Sequence, residues 1–278
     1  MNKLALGLIV VSIAASSFIT YQVTQSQLAG QSGQSVTKDM LADYITKEGL
    51  NEQFGKYLDE NAEKVFAAVA KGVALQKQAE VEKKRQALLD SKDELENDAR
   101  SPVIGNEKGD VTIVMFSDYS CGYCKRSAPV LEKLLASDTG LKLVVKEFPV
   151  LGPASIISAK AALAVFTLDK SKYEAFHKSL FETELSSEVQ LIELAESAGL
   201  DAKALLAEMA KPEYDKLLEM NHALATSLGI NGTPAFVIDG ALYPGAMPED
   251  QFVSLIEHTR SKRAAEPAPA PAEAAAAQ

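Results

Sequence analysis

The sequence predicts an α/β fold that carries an inserted helical region and is preceded by an N-terminal helical extension. Three observations predict it. Val111–Ser117 is apolar at nearly every position, as a central strand covered on both faces should be. Directly after Cys121-Gly122-Tyr123-Cys124, the residues Val130, Leu131, Leu134 and Leu135 recur at helical spacing. Near the end, two short apolar runs at 236–238 and 241–243 flank Asp239-Gly240, a two-residue hairpin signal. Between these strand-bearing parts, residues 155–228 are helical in pattern throughout.

In chain order, Met1-Asn2-Lys3 precedes an apolar run over residues 4–21, interrupted only by small hydroxyl residues such as Ser12, Ser16 and Ser17. This is an export signal. It reads either as a cleaved signal peptide, cut after Ser16 or Ser17, or as an uncleaved anchor of roughly 18 residues, just long enough for the hydrocarbon core. Phe18, Ile19 and Tyr21 prolong the run past the cleavage positions and favour the anchor; no cysteine follows it, which excludes a lipoprotein. Residues 22–35, rich in Gln, Ser and Gly, form a flexible spacer.

From Val36 the pattern turns helical. Leu41, Tyr44 and Ile45 share one face, as do Phe54, Tyr57 and Leu58, with Gly49 a break between them. A longer helix is predicted over residues 61–97, apolar at Val65, Phe66, Val69 and Val73 and strongly charged in its second half. Ala74, Val81, Leu88 and Leu95 recur every seven residues, but the complementary positions Lys77, Lys84 and Ser91 are polar, so the seam is thin. Residues 36–98 thus read as a helical oligomerisation extension whose apolar half needs a partner surface, with a solvated spacer as the alternative for its charged half.

Residues 100–110, with Pro102, Gly105 and Gly109, read as a loop leading into a domain that spans residues 101–263. The helix after the cysteines is expected to end near Ala136, and a second strand over 141–148 to lie parallel to the first through a right-handed crossover. Tyr173, Phe176, Leu180 and Phe181, then Leu191, Ile192 and Ala195, then Tyr214, Leu217, Leu218 and Leu224 are core positions of the inserted helices, which Gly199 and Pro212 punctuate. His177 and His222 read as ordinary helix residues. Pro248 opens a last helix whose Phe252, Leu255 and Ile256 cover the sheet, and residues 264–278 form a disordered Pro/Ala tail.

The chemistry concentrates in Cys121 and Cys124, the two cysteines of 278 residues. A helix that begins at the first cysteine directs unpaired N–H groups and the positive end of its dipole at that sulfur, favouring the thiolate. Cys124, a turn deeper, is the resolving thiol in exchange through a mixed disulfide, with Cys121 the attacking nucleophile. Gly122 lets a substrate backbone approach, and Tyr123 adds an apolar ring without a second charge. Structural zinc wants four ligands, and His177, His222 and His258 are scattered with no second cysteine pair. A net charge of −10 leaves no basic stripe for nucleic acid.

These motifs together resemble the thioredoxin superfamily. Pro129 falls where such proteins often kink the active-site helix, and Gly232-Thr233-Pro234 before an apolar strand resembles their cis-proline loop, with Thr233 facing the thiols and Pro234 cis. The stretch from Glu147 through Phe148, Pro149, Val150, Leu151, Gly152 and Pro153 to Ser155, with the insertion behind it, resembles the DsbA type of bacterial envelope proteins. Cys-Gly-Tyr-Cys with threonine before the proline is similar to the DsbC type of isomerase.

The resemblance implies a thioredoxin fold and a periplasmic thiol-disulfide oxidoreductase, acting as an isomerase, a mixed oxidase and isomerase, or a pure oxidase. Its site would be Cys121, Cys124, Gly122, Tyr123, Thr233 and Pro234, and it would need no cofactor beyond a redox-active disulfide between Cys121 and Cys124. Its partners would be exported proteins with thiols or disulfides, a membrane redox partner, and a second or third copy bound through residues 36–98. These families often carry a buried Asp or Glu six residues before the first cysteine; Met115 stands there, leaving Asp118 or water to relay the proton of Cys124. Two readings from other classes stay open: a tethered protein holding a soft ion such as Cu(I) on the thiolates, and a helical assembly module with a vestigial redox domain.

Overall fold

The computed structural model describes residues 50–185 and 187–265. The expected export segment, the spacer, the first helix of the extension and the tail from Glu266 lie outside them. Among the described residues no helix is long and apolar enough to cross a membrane. The chain divides into two units, at Ala74 and Leu75.

Helix α1 (Leu50–Asp90) leaves helical geometry at Asn61, with φ −120° and ψ 17°. Within the first unit its side chains Tyr57, Phe66, Val69 and Val73 are exposed, Phe66 to 80%. Within the second unit the seven-residue seam behaves unevenly. Val81 is exposed, whereas Leu88 and, from helix α2 (Lys92–Glu96), Leu95 are buried. These two leucines pack with Val114, Phe116, Val144, Phe148 and Leu224. They are core residues rather than a solvated spacer, because the face they cover is an apolar sheet that would otherwise meet water.

Among the described residues the sheet has five strands, in the order β1-β3-β2-β4-β5. Strand β1 (Val103–Gly105) pairs antiparallel with β3 (Leu141–Glu147), and β2 (Val111–Ser117) pairs parallel with β3. β4 (Ala235–Ile238) runs antiparallel to β2 and to the edge strand β5 (Ala241–Pro244). Strand β1 corrects the expectation of a plain loop over residues 100–110; three residues are too few to show a period in sequence. The hairpin stands as expected. Asp239 and Gly240 both take positive φ, 48° and 71°, which matches the twist of the two strands they join.

Helix α3 (Gly122–Ser137) follows β2, and five helices among the described residues fill the insertion: α4 (Pro153–Leu168), α5 (Lys170–Glu182), α6 (Glu188–Ser197), α7 (Ala202–Met209) and α8 (Pro212–Ser227). Ile113, Met115, Leu143 and Val145 on one face of the sheet join Leu131 and Leu134 of α3 and Phe176 and Leu180 of α5 in the larger core. Alternation along the strands sends Val114, Phe116 and Val144 to the opposite face, under Leu88 and Leu95. Lys146 also points there. It is fully buried, donating to Glu94 O at 2.6 Å and Ser101 Oγ at 2.8 Å and pairing with Asp98 at 3.5 Å, so it fastens α2 to the sheet. Helix α9 (Glu249–Ala265) closes the fold with Phe252 and Ile256 buried, and Ala264 and Ala265 continue it rather than begin the tail.

Candidate functional site

The site lies at the C-terminal ends of β2 and β3. Cys121 is the N-cap of α3, in extended geometry (φ −79°, ψ 117°), and Cys124 lies in the first turn. Both are free thiols, Cys121 reaching the surface with 6% of its area and Cys124 with none. The Thr233–Pro234 bond is cis, as expected, and Cys121 Sγ lies 3.3 Å from Thr233 O. The structure therefore brings Cys121, Cys124, Thr233 and Pro234 together.

The two sulfurs meet opposite electrostatics. Burial pushes the Cys121 thiol up, but hydrogen bonds from Thr233 and the amides of Cys124 and Tyr123 outweigh it and hold Cys121 below the usual thiol value. Burial dominates at Cys124 and pushes it up to about 12, against smaller help from the Asp118 backbone and the Ser117 hydroxyl. The difference follows from helix geometry: the N-cap position faces the free amides, and a side chain one turn in points into the core.

Tyr123 is 59% exposed, with the Arg126 guanidinium 4.3 Å above its ring. At Gly122 an added Cβ would meet, among the described residues, only Arg126 Nη1, at 3.8 Å, so none of them demands glycine there. Its missing side chain matters only to what approaches from outside. A groove of about 1160 Å³ opens beside Tyr123, Thr233 and Pro234, bounded by Pro244 of β5 and by Leu88 and Leu89.

Beneath the thiols lies a buried polar cluster that the sequence reading did not identify. Tyr119 donates to Glu147 Oε1 at 2.9 Å and lies 2.6 Å from His177 Nδ1, which is also 3.2 Å from the Tyr173 hydroxyl. Burial raises Glu147 well above the usual carboxyl value and pushes His177 down to about 3. His177 is thus a neutral, satisfied core residue, while His222 packs its ring against Phe148 at 5.4 Å. The one signal in the sequence was a carboxylate ending the strand Leu141–Glu147, two residues after its apolar centre at Leu143, Val144 and Val145. Asp118 is buried too, its carboxylate accepting from the amides of Ser120 (2.8 Å), Val150 (2.8 Å) and Leu151 (3.0 Å). It ties the turn before Cys121 to the loop after β3. Among the described residues no group of three or more His, Cys, Asp or Glu side chains could hold a metal ion.

The family described as "DSBA-like thioredoxin domain" matches residues 112–257, more than half of the chain. Among solved structures, a thioredoxin-like oxidoreductase from Silicibacter pomeroyi is 39% identical with a TM-score of 0.58, covering 61% of this chain and 97% of its own. The catalytic domain of Proteus mirabilis ScsC is 32% identical with a TM-score of 0.60, covering 64% of this chain and 98% of its own. Disulfide bond formation protein D of Bacillus subtilis is 24% identical over 56% of this chain and 75% of its own length. The chain also matches a Na(+)/H(+) antiporter NhaA of Herminiimonas arsenicoxydans, at 25% identity over 56% of this chain, but spans only a quarter of that protein's length.

Proposed function

Because this chain belongs to the DsbA-like thioredoxin family, we propose that it is a thiol-disulfide oxidoreductase that exchanges disulfides of exported proteins through Cys121 and Cys124. The observation that carries the reading is the placement of Cys121 at the helix cap, 3.3 Å from Thr233 O beside cis-Pro234, with Cys124 buried behind it. A pair so placed has one nucleophile open to a substrate disulfide and one partner that resolves the adduct. The names of the oxidoreductase and the disulfide bond formation protein that it resembles support the same chemistry.

In this reading the protein works in the bacterial periplasm as an isomerase or mixed oxidase and isomerase. Cys121 attacks, Cys124 resolves, Gly122 and Tyr123 line the approach, and Thr233 and Pro234 hold the substrate chain beside the sulfur. A membrane redox partner resets the pair, and residues 36–98 join two or three copies. The exposed Phe66, Val69 and Val73 support that last step, since apolar side chains at helical spacing gain by burial against another surface. Several sites in one assembly would raise the effective concentration of attacking thiol on a misfolded chain.

The test pairs reactivation of a scrambled multi-disulfide protein with oxidation of a reduced one, and adds light scattering. The full chain is expected to be oligomeric and to favour the scrambled substrate. A chain beginning at Leu75, which keeps Leu88 and Leu95, is expected to be monomeric and to lose that preference. A monomeric full chain, or equal reactivation by both, would refute the role of the extension; a full chain with no exchange activity would refute the reaction itself.

A further inference from the structure

Helix α1 leaves two large apolar side chains in the open, Val81 at 58% and Leu89 at 39% exposure. Both line the groove that opens beside Tyr123, Thr233 and Pro234. They belong to residues 81–92, which lie outside the stretch 112–257 that matches the family, so this wall of the groove is an addition made by the extension. Resting on the exchange reaction proposed above, we infer that the wall selects the substrate: an extended segment of an exported protein, apolar where it meets Val81 and Leu89 and acidic where it meets Lys84 and Arg85.

The groove has a thiol end and a hairpin end, both within the second unit. Tyr123, Thr233 and Pro234 mark the first, and Asp239, Gly240 and Lys262 the second. Leu89 closes on the hairpin, where a Cβ added at Gly240 would come 3.1 Å from its Cδ2. Edge strand β5 lines the groove together with α1. Asp239 and Gly240 make a two-residue turn with Ile238 opposite Ala241, so pairing to β4 uses the amides and carbonyls of Ala241 and Tyr243. The N–H and C=O of Leu242 then point away from β4 to the open edge, and Pro244 adds a carbonyl there but no donor. An extended chain laid along this edge runs from Thr233 and Pro234, beside Cys121, to the hairpin in about four to six residues at about 3.3 Å each.

The charges on the wall set the sign of the side chains it takes. The whole chain carries 38 acidic and 28 basic residues, whereas the groove reverses that balance, with Lys84, Arg85, Lys92 and Lys262 against Glu96 and Asp239. At the hairpin end Asp239 holds Lys262 at 2.8 Å, and Glu96 follows Lys92 by one helical turn. Lys84 and Arg85 face the groove with no acidic lining residue of their own. Their partners lie along the helix, Glu80 at 3.4 Å from Lys84 and Glu82 at 2.7 Å from Arg85, and all four side chains are more than half exposed. Such pairs on a helix surface are worth little, so a substrate carboxylate competes with them for either cation. Leu88, beside Leu89, is buried with Val114 and Phe116 and fixes the wall against the sheet. A wall already fixed gives up little freedom when a substrate arrives, so its charge and apolar area act on the choice of substrate.

The test follows stopped-flow reduction of the oxidised full chain by three dithiol peptides that carry Glu, Gln or Lys at one position about four residues from the first cysteine. Rates over a range of peptide concentration separate apparent affinity from limiting rate. At low ionic strength the parent is expected to favour the Glu peptide over the Lys peptide by about tenfold, through affinity, with Gln between them and the spread shrinking in high salt. Lys84→Glu combined with Arg85→Glu should invert the order, a gain that a misfolded chain cannot produce. Lys84→Gln combined with Arg85→Gln should level it. A parent indifferent to the three peptides, or an order that survives charge reversal, would overturn the selecting wall while the exchange reaction stands. A preference that fades as protein concentration rises would overturn it too, since a second copy would then occupy the groove. A parent that none of the peptides reduces overturns both.

Discussion

Cys121 and Cys124 stand three residues apart, one capping a helix and the other inside its first turn, and their surroundings drive them in opposite directions. Three amide and hydroxyl donors outweigh burial at Cys121, whereas burial outweighs its donors at Cys124. The difference teaches that the C-x-x-C spacing does not itself divide the roles. What divides them is which sulfur faces the free end of the helix and which faces the core of Met115, Leu131 and Phe176.

The sharpest way to break this contrast is to remove each thiol in turn. Cys121→Ala should abolish exchange, while Cys124→Ala should accumulate mixed disulfides with substrate, read by non-reducing electrophoresis; equal trapping by both variants would erase the division. Next in size is alkylation at neutral pH. Cys121 in Cys124→Ala should react more than about 30-fold faster than Cys124 in Cys121→Ala. Cys124 sits about three pH units above the 9.0 of an ordinary thiol, which is roughly a thousandfold in thiolate, less the lower nucleophilicity of the more acidic sulfur.

Stability should follow the same line. A folded value raised from 9.0 to about 12 means that Cys124 contributes its full stabilisation below pH 9, and that this is lost as pH rises through that window. Chemical denaturation of the reduced protein should therefore lose about 1.4 kcal/mol per pH unit between pH 9 and 12, and Cys124→Ala should lack that loss. An alkaline slope that survives in Cys124→Ala would assign it to another group. The smallest effect is expected at Thr233→Val. Loss of a hydroxyl that favours the Cys121 thiolate should slow neutral-pH alkylation severalfold without abolishing it.

Comparable contrasts decide what could be read without a structure. The strand Val111–Ser117, the helix after the cysteines, the hairpin at Asp239-Gly240 and the helical insertion were all legible, because each depends on a local period or a turn residue. Strand β1 was not, being three residues long and held only by pairing with β3. Leu88 and Leu95 resembled a helix seam in sequence because a period of seven does not say whether the covering surface is another helix or a sheet.

By itself the sequence determined the α/β class, the place of the two thiols and their order along a helix, since these rest on neighbours within a few residues. Only the tertiary structure decided how the carboxylates near the buried thiol are engaged. Asp118 is the acid nearer in sequence, but its oxygens are taken by the amides of Ser120, Val150 and Leu151. Glu147 stands 23 residues after Cys124 and comes beside Ser117 because a parallel pairing aligns two strand ends. Burial, and the availability of a lone oxygen, are properties of how strands and helices meet, and no local pattern of residues encodes them.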